Sequence, residues 1–133
     1  MKEWSKSWKS SKKPKKQRKY SYNVPLHIKK KGVKVHLSPE LKKKYGKRSV
    51  SIRKEDKVKI LRGQFKGKTG KVMKVELKKG RINVENIENI RKEGTKAPYP
   101  LQPSNLMITE LYMDDKKRKK LLERGKKPKE EKK

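Results

Sequence analysis

The sequence predicts a mainly β protein, a small closed barrel of short strands set between two basic extensions. Three observations lead there. Between residues 49 and 113, apolar residues recur at every second position in a series of short runs, the spacing of half-buried strands. Several such strands within 65 residues favour a closed barrel over a sandwich. Charge is also uneven. Residues 1–48 hold 18 basic and 2 acidic residues (+16), residues 49–113 hold 15 and 7 (+8), and residues 114–133 hold 11 and 5 (+6). The middle stretch is the least biased and carries most of the β-branched residues, so it reads as the folded domain. On either side lie a basic N-terminal extension, 1–48, and a basic C-terminal helix and tail, 114–133.

Each element has a local reason. Trp4 and Trp8 are four apart and can share a face of an induced helix. Lys12 to Lys19 is nearly all charge, which predicts an extended, mobile segment in the free chain. GVKVHL alternates Val33, Val35 and Leu37 with polar residues, a short strand or docking segment. In LSPELKKKYG, Ser38 suits a helix N-cap, Pro39 the first helical position and Gly46 a left-handed end, giving a two-turn helix near 38–45.

Val50 and Ile52 alternate in VSIR, and Val58 and Ile60 in DKVKIL. In GKVMKVEL the apolar residues break strict alternation, which predicts a bulge near Val72–Met73. Lys78-Lys79-Gly80 reads as a hairpin turn before RINVENI, which points Ile82 and Val84 inward. APYPLQP reads as a proline-broken loop and LMITELYM as a last strand. Asp114-Asp115 then opens a short basic helix, KKRKKLLERG, with Gly125 past its end and KKPKEEKK as a frayed tail.

A formal net charge of +30 far exceeds what solubility requires and seeks a polyanion, most commonly nucleic acid. An anionic membrane surface would want an amphipathic helix with a large apolar face, and none is evident. Hydrophobic residues make up 29% of the chain against 44% charged, too few for the whole length to bury a core. The absence of cysteine excludes disulfides, thiolate metal sites and cysteine nucleophiles. The basic start has no apolar run behind it, and no segment approaches transmembrane length, so a cytoplasmic location is the default expectation. The two histidines, His27 and His36, do not cluster with acids. No general acid–base pair, nucleophile triad, cofactor site or metal constellation is visible, and no enzyme is expected.

The stretch LRGQFKGKTGKV tests the main exception, because Gly67-Lys68-Thr69 looks like the end of a nucleotide-binding loop. Only three residues separate Gly63 from Gly67, where that loop needs four. A phosphate-cradling loop must also feed the N-terminus of a helix. Here Gly70-Lys71-Val72 begins an alternating strand. A hairpin is expected instead, its glycines supplying positive φ and close backbone approach, with Arg62, Lys66, Lys68 and Lys71 projecting beside Phe65.

RKEDKVKILRGQFKGKTGKVMKVELKKGRINVENI resembles a KOW motif, spanning about residues 54–86. The flanks VPLHIKKKGVKVHLSPELKKKYGKRSVSIRKED and LQPSNLMITELYMDDKKRKKLLERGKK resemble the universal large-subunit ribosomal protein family numbered twenty-four in archaea and twenty-six in eukaryotes. The resemblance implies an SH3-like barrel bound to large-subunit ribosomal RNA, joining early in assembly near the RNA 5′ domain and beside the polypeptide exit tunnel. It implies neighbouring ribosomal proteins as partners, with the nascent chain or exit-site factors as further ones, and a monomer within the ribosome. The Trp4–Trp8 segment lies outside the recognised pattern.

RNA in A-form is recognised by shape, backbone and unpaired bases, a task that suits many lysines. Lys12, Lys13, Lys15, Lys16, Arg18 and Lys19 are expected to thread between RNA segments, with Tyr20 and Tyr22 available to stack on bases and His27 to bond phosphate. Lys29, Lys30, Lys31, Lys34, Lys47 and Lys54 complete the candidate lysines outside the glycine loop. That loop offers Gly63 and Gly67 with Arg62, Lys66, Lys68 and Lys71. Arg48, Arg53 and Arg62 flank strands that restrict their motion, where a guanidinium can grip phosphate with two hydrogen bonds, unless one pairs with Glu55 or Asp56. A KOW-type transcription-elongation module and a duplex-DNA compactor are the alternative readings.

Overall fold

The computed structural model describes residues 3–124. Among them the chain is mixed, four helices around a strand-rich sheet, with more helix than the sequence predicts. The strands are β1 (Lys34–Leu37), β2 (Ser49–Ser51), β3 (Lys57–Ile60), β4 (Thr69–Glu76), β5 (Arg81–Val84), β6 (Glu88–Ile90), β7 (Lys96–Pro98) and β8 (Leu106–Glu110). Six of them form one sheet in the order β2-β1-β8-β3-β4-β5, and β6 pairs with β7 in a separate hairpin.

Alternation places the core as expected. Val35, Leu37, Val58, Ile60, Ile82, Leu106 and Ile108 are fully buried, while Lys57 and Lys59 point out of β3. The bulge appears where the apolar pattern slips. Val72 pairs with Val84 and Lys74 with Asn83, so Met73 is the extra residue and stays exposed.

Two expectations need correction, and one pairing lies beyond them. Strands within 49–113 pair with one another antiparallel, but β1, from the preceding stretch, runs parallel to β8, with His36 beside Met107 and Leu37 beside Ile108. These strands come from opposite ends of the chain with no tight turn joining them, so packing sets their direction. APYPLQP is not wholly loop, because Lys96–Pro98 pairs with Glu88–Ile90 and Leu101 exchanges backbone hydrogen bonds with Ile82 at 2.8 and 2.9 Å. Pro98 is tolerated at the end of a strand in a two-stranded hairpin.

The second correction is at the N-terminus. The Lys12–Lys19 stretch is not extended; α1 spans Pro14–Asn23. Pro14 sits at its first position with φ pre-set, and unbranched Lys, Gln and Arg side chains lose little freedom in a helix. Pro25 then breaks the run and opens α2, Leu26–Gly32, whose final turn carries Lys29, Lys30 and Lys31 where the dipole favours cations. Trp4 and Trp8 do not share a helix; Lys6–Ser10 forms a 3-10 turn, and each indole meets α1 separately.

Helix α3 (Pro39–Tyr45) starts and stops as predicted. The Ser38 Oγ accepts from the Leu41 amide at 3.4 Å, and Gly46 ends the helix at φ 63°. Helix α4 (Lys116–Glu123) is capped by the Asp115 carboxylate, which accepts from the Lys117 amide at 2.7 Å. Gly125 and the tail after it lie outside the described residues. The hydrophobic core draws on both flanks of the 49–113 stretch, taking in Val33, Val35, Leu37 and Tyr45 before it and Leu122 after it.

Candidate nucleic-acid interface

Helix α1 displays its charge in stripes. Lys15, Arg18 and Tyr22 recur at the i, i+3, i+7 spacing of one face, and all three are exposed. Tyr20 faces the other way, its ring tilted against Trp4 at 5.5 Å between centroids. The Lys19 ammonium lies 5.1 Å from the Trp8 ring. The Gln17 amide donates to the Ser11 carbonyl at 2.9 Å and the Asn23 amide to the Glu3 carbonyl at 3.1 Å, tying residues 3–11 back onto the helix. Tyr20 is thus occupied within the protein, and Tyr22, 85% exposed, is not.

Between α1, α2 and the β4–β5 turn runs an open groove of about 840 Å³, lined by Gln17, Arg18, Ser21, Tyr22, Lys29 and Lys78 among others. A second groove of about 470 Å³ continues from it past Lys34, Lys79 and Gln102, sharing Ser21, Lys29 and Lys78. Among the described residues, no aspartate or glutamate lines either one. Lys78 and Lys79 were not legible as site residues, because only the hairpin fold carries them to a helix more than fifty positions earlier.

The glycine loop is a hairpin connection. The Gly67 amide donates to the Ile60 carbonyl at 2.8 Å and the Ile60 amide to the Lys68 carbonyl at 2.9 Å, while Gly63 and Gly67 take φ of 94° and 88°. Thr69 begins β4 and no helix follows, which removes the nucleotide-loop reading. Arg62, Lys66, Lys68 and Lys71 are exposed as expected. Phe65 turns inward instead, edge-on to Tyr99 at 5.2 Å, and so anchors the loop. Close backbone approach is realised one step on, at Gly70. A Cβ there would lie 2.8 Å from both the Glu85 carbonyl oxygen and the Val84 side chain.

Lys12, Lys13, Lys16, His27, Lys30, Lys31, Lys34, Arg48 and Lys54 are also exposed. Besides Tyr20 and Lys19, two more candidates are engaged within the protein. The Arg53 guanidinium binds the Asp115 carboxylate, and the Lys47 ammonium donates to the Leu121 carbonyl, so both hold α4. Arg53 pairs with Asp115 rather than with Glu55 or Asp56; Asp56 takes Arg118, which the sequence does not single out. That guanidinium meets the two Asp56 oxygens at 2.6 and 2.7 Å with both side chains buried. The Arg53 and Tyr112 amides donate to the same carboxylate at 2.8 and 2.9 Å.

His36 sits half-buried on β1. Desolvation first, then the charges of Lys42 and Arg48, hold its pKa below the ordinary imidazole value, which favours the neutral ring. Among the described residues no group of His, Asp or Glu gathers that could hold a metal ion, and no helix is long and apolar enough to cross a membrane.

Residues 11–125 match the family of ribosomal proteins numbered twenty-six in eukaryotes and twenty-four in archaea. The chain belongs to this family. It is 49% identical over 114 residues to the large ribosomal subunit protein uL24 of Korarchaeum cryptofilum, covering 86% of this chain and 87% of that protein. The uL24 proteins of Methanothrix thermoacetophila and Methanosphaera stadtmanae are 46% and 45% identical over the same share of this chain, covering 98% and 97% of theirs. The family match starts at residue 11, so Trp4 and Trp8 precede it, while α1, both grooves, the glycine loop and α4 fall inside.

Proposed function

We propose that this chain is a structural constituent of the large ribosomal subunit, in the cytoplasm, that binds large-subunit ribosomal RNA and touches neighbouring ribosomal proteins. One observation carries the reading: 45–49% identity to large-subunit uL24 proteins across 86% of the chain. The acid-free grooves and a net charge of +30 supply the physical means. A ribosomal constituent of this kind is a scaffold and carries out no turnover.

Three finer points belong to the same proposal. The six-stranded sheet, with its bulge in β4, is the SH3-like barrel, and residues 54–86 are its KOW motif; the β3–glycine loop–β4–β5 order supports this. Residues 1–48 supply the RNA-binding arm, with β1 joining the sheet, 49–113 the positioning barrel and 114–133 a second basic arm. Arg62, Lys66, Lys68 and Lys71 on the loop, with the exposed lysines of α1 and α2, are the phosphate contacts. The protein joins early, near the RNA 5′ domain, and lies by the exit tunnel, where the nascent chain or exit-site factors can reach it. These last points rest on the family resemblance.

The test is assembly. Full-length protein mixed with large subunits in mild buffer should sediment with them, and at low ionic strength it should prefer large-subunit RNA to competing duplex DNA. Sedimentation apart from the particles, or indifference between the two nucleic acids, would overturn the reading.

A further inference from the structure

The two tyrosines of α1, close in sequence, have opposite surroundings. Tyr20 spends its ring on Trp4. Tyr22 leaves 85% of its surface open at the mouth of the groove shared by Arg18, Lys29 and Lys78. An exposed aromatic ring is an apolar surface that water does not favour, and this one lies among cations. Among the described residues, none of Arg18, Lys29 and Lys78 meets a carboxylate within ion-pair distance. Such a combination of a flat π-face beside uncompensated positive charge is how proteins hold single-stranded nucleic acid: the base stacks and its phosphate finds the cations.

We propose that Tyr22 is a base-stacking residue, and that the groove beside it holds one unpaired nucleotide of RNA, with its phosphate on Lys29 and Lys78. The proposal rests on the RNA-binding reading above and adds to it a site and a ligand conformation. A base inside a continuous duplex has no free face to offer, so the occupant must come from a loop, bulge or strand end. The groove lies between helices α1 and α2 and the β4–β5 turn. The groove is open, and its volume of about 840 Å³ is enough for a small organic group. Arg18, four residues before Tyr22 on the same face, can cover the second side of the base.

The experiment compares two RNAs of equal length, a hairpin with an unpaired loop and a blunt duplex, against full-length wild type, Tyr22→Ala, Tyr22→Phe and the double variant Lys29→Ala/Lys78→Ala. Tyr22→Ala should weaken hairpin binding by about 5- to 140-fold, the range of one lost stack, and change duplex binding far less. Tyr22→Phe keeps the ring and should restore hairpin affinity. The salt slope should be untouched in Tyr22→Ala and shallower by about 0.7 to 2 in the lysine variant. Equal losses on both RNAs, or no loss on the hairpin, would overturn the stacking site while leaving RNA binding standing. Failure of the wild type to bind either RNA would overturn both. Tyr22 is largely exposed and lies outside the hydrophobic core, so its truncation leaves the fold in place.

Discussion

Arg118 shows how far a residue's composition can mislead about its role. It belongs to a run of five consecutive basic residues, yet it is buried while Lys116, Lys117, Lys119 and Lys120 are exposed. The helical period turns Arg118 and Leu122, four apart, toward the sheet, where Asp56 receives the guanidinium with two hydrogen bonds. Asp56 is fully satisfied by Arg118 and the Arg53 and Tyr112 amides, so the pair is organised rather than merely close. Arg118→Ala leaves a buried carboxylate without its counter-charge, and unfolding stability should fall by about 3–5 kcal/mol. Urea denaturation checks this: the midpoint should drop with little change in slope, and an unaltered midpoint would contradict the clamp. Asp56 was legible only as a possible surface partner for an arginine. Its burial depends on α4 returning to a turn some sixty residues earlier, which no local pattern encodes.

At the scale of elements, local rules worked where the chain's own chemistry decides the conformation. Helix α3 has its N-cap, its first-turn proline and its left-handed glycine in sequence, and the structure keeps all three. The β4 bulge was legible because a slipped apolar pattern must leave one residue unpaired. Helix α1 was not legible because a run of like charges predicts a solvated coil. The contacts that hold it come from residues 3–11, through Trp4 on Tyr20 and the Ser11 and Glu3 carbonyls. An isolated helix of this length is marginal in water. Trp4→Ala removes an aromatic contact worth about 0.5–1.5 kcal/mol, and the helical far-UV signal should fall while the core unfolding midpoint stays put. An unchanged spectrum would show that α1 stands without the brace.

For the whole molecule, charge and fold divide the work. Residues 1–30 carry eleven lysines and arginines, and the deletion stops short of Val33, the first core residue. Their removal should therefore weaken ribosomal RNA binding without unfolding the sheet. It should also flatten the log–log salt dependence, by about 3 for as few as four lost phosphate contacts. A filter-binding titration across salt concentrations reads both quantities; unchanged affinity and slope would contradict the role of the arm. Lys47 and Arg53 contribute differently from the arm, since each fastens α4 and is only half-exposed.

The alternation of β-branched residues, the cap chemistry of α3 and the excess of positive charge are local or additive properties, and reading the chain in order recovers the strands of the main sheet, that helix and the polyanion partner. Contacts between distant segments follow another logic. The parallel β1–β8 pair, the Asp56–Arg118 clamp and the meeting of α1 with Lys78 join residues about fifty to seventy positions apart. Which of many similar lysines and apolar residues meet is settled by packing the core without voids and pairing every buried charge, and those constraints exist only once the chain has closed on itself.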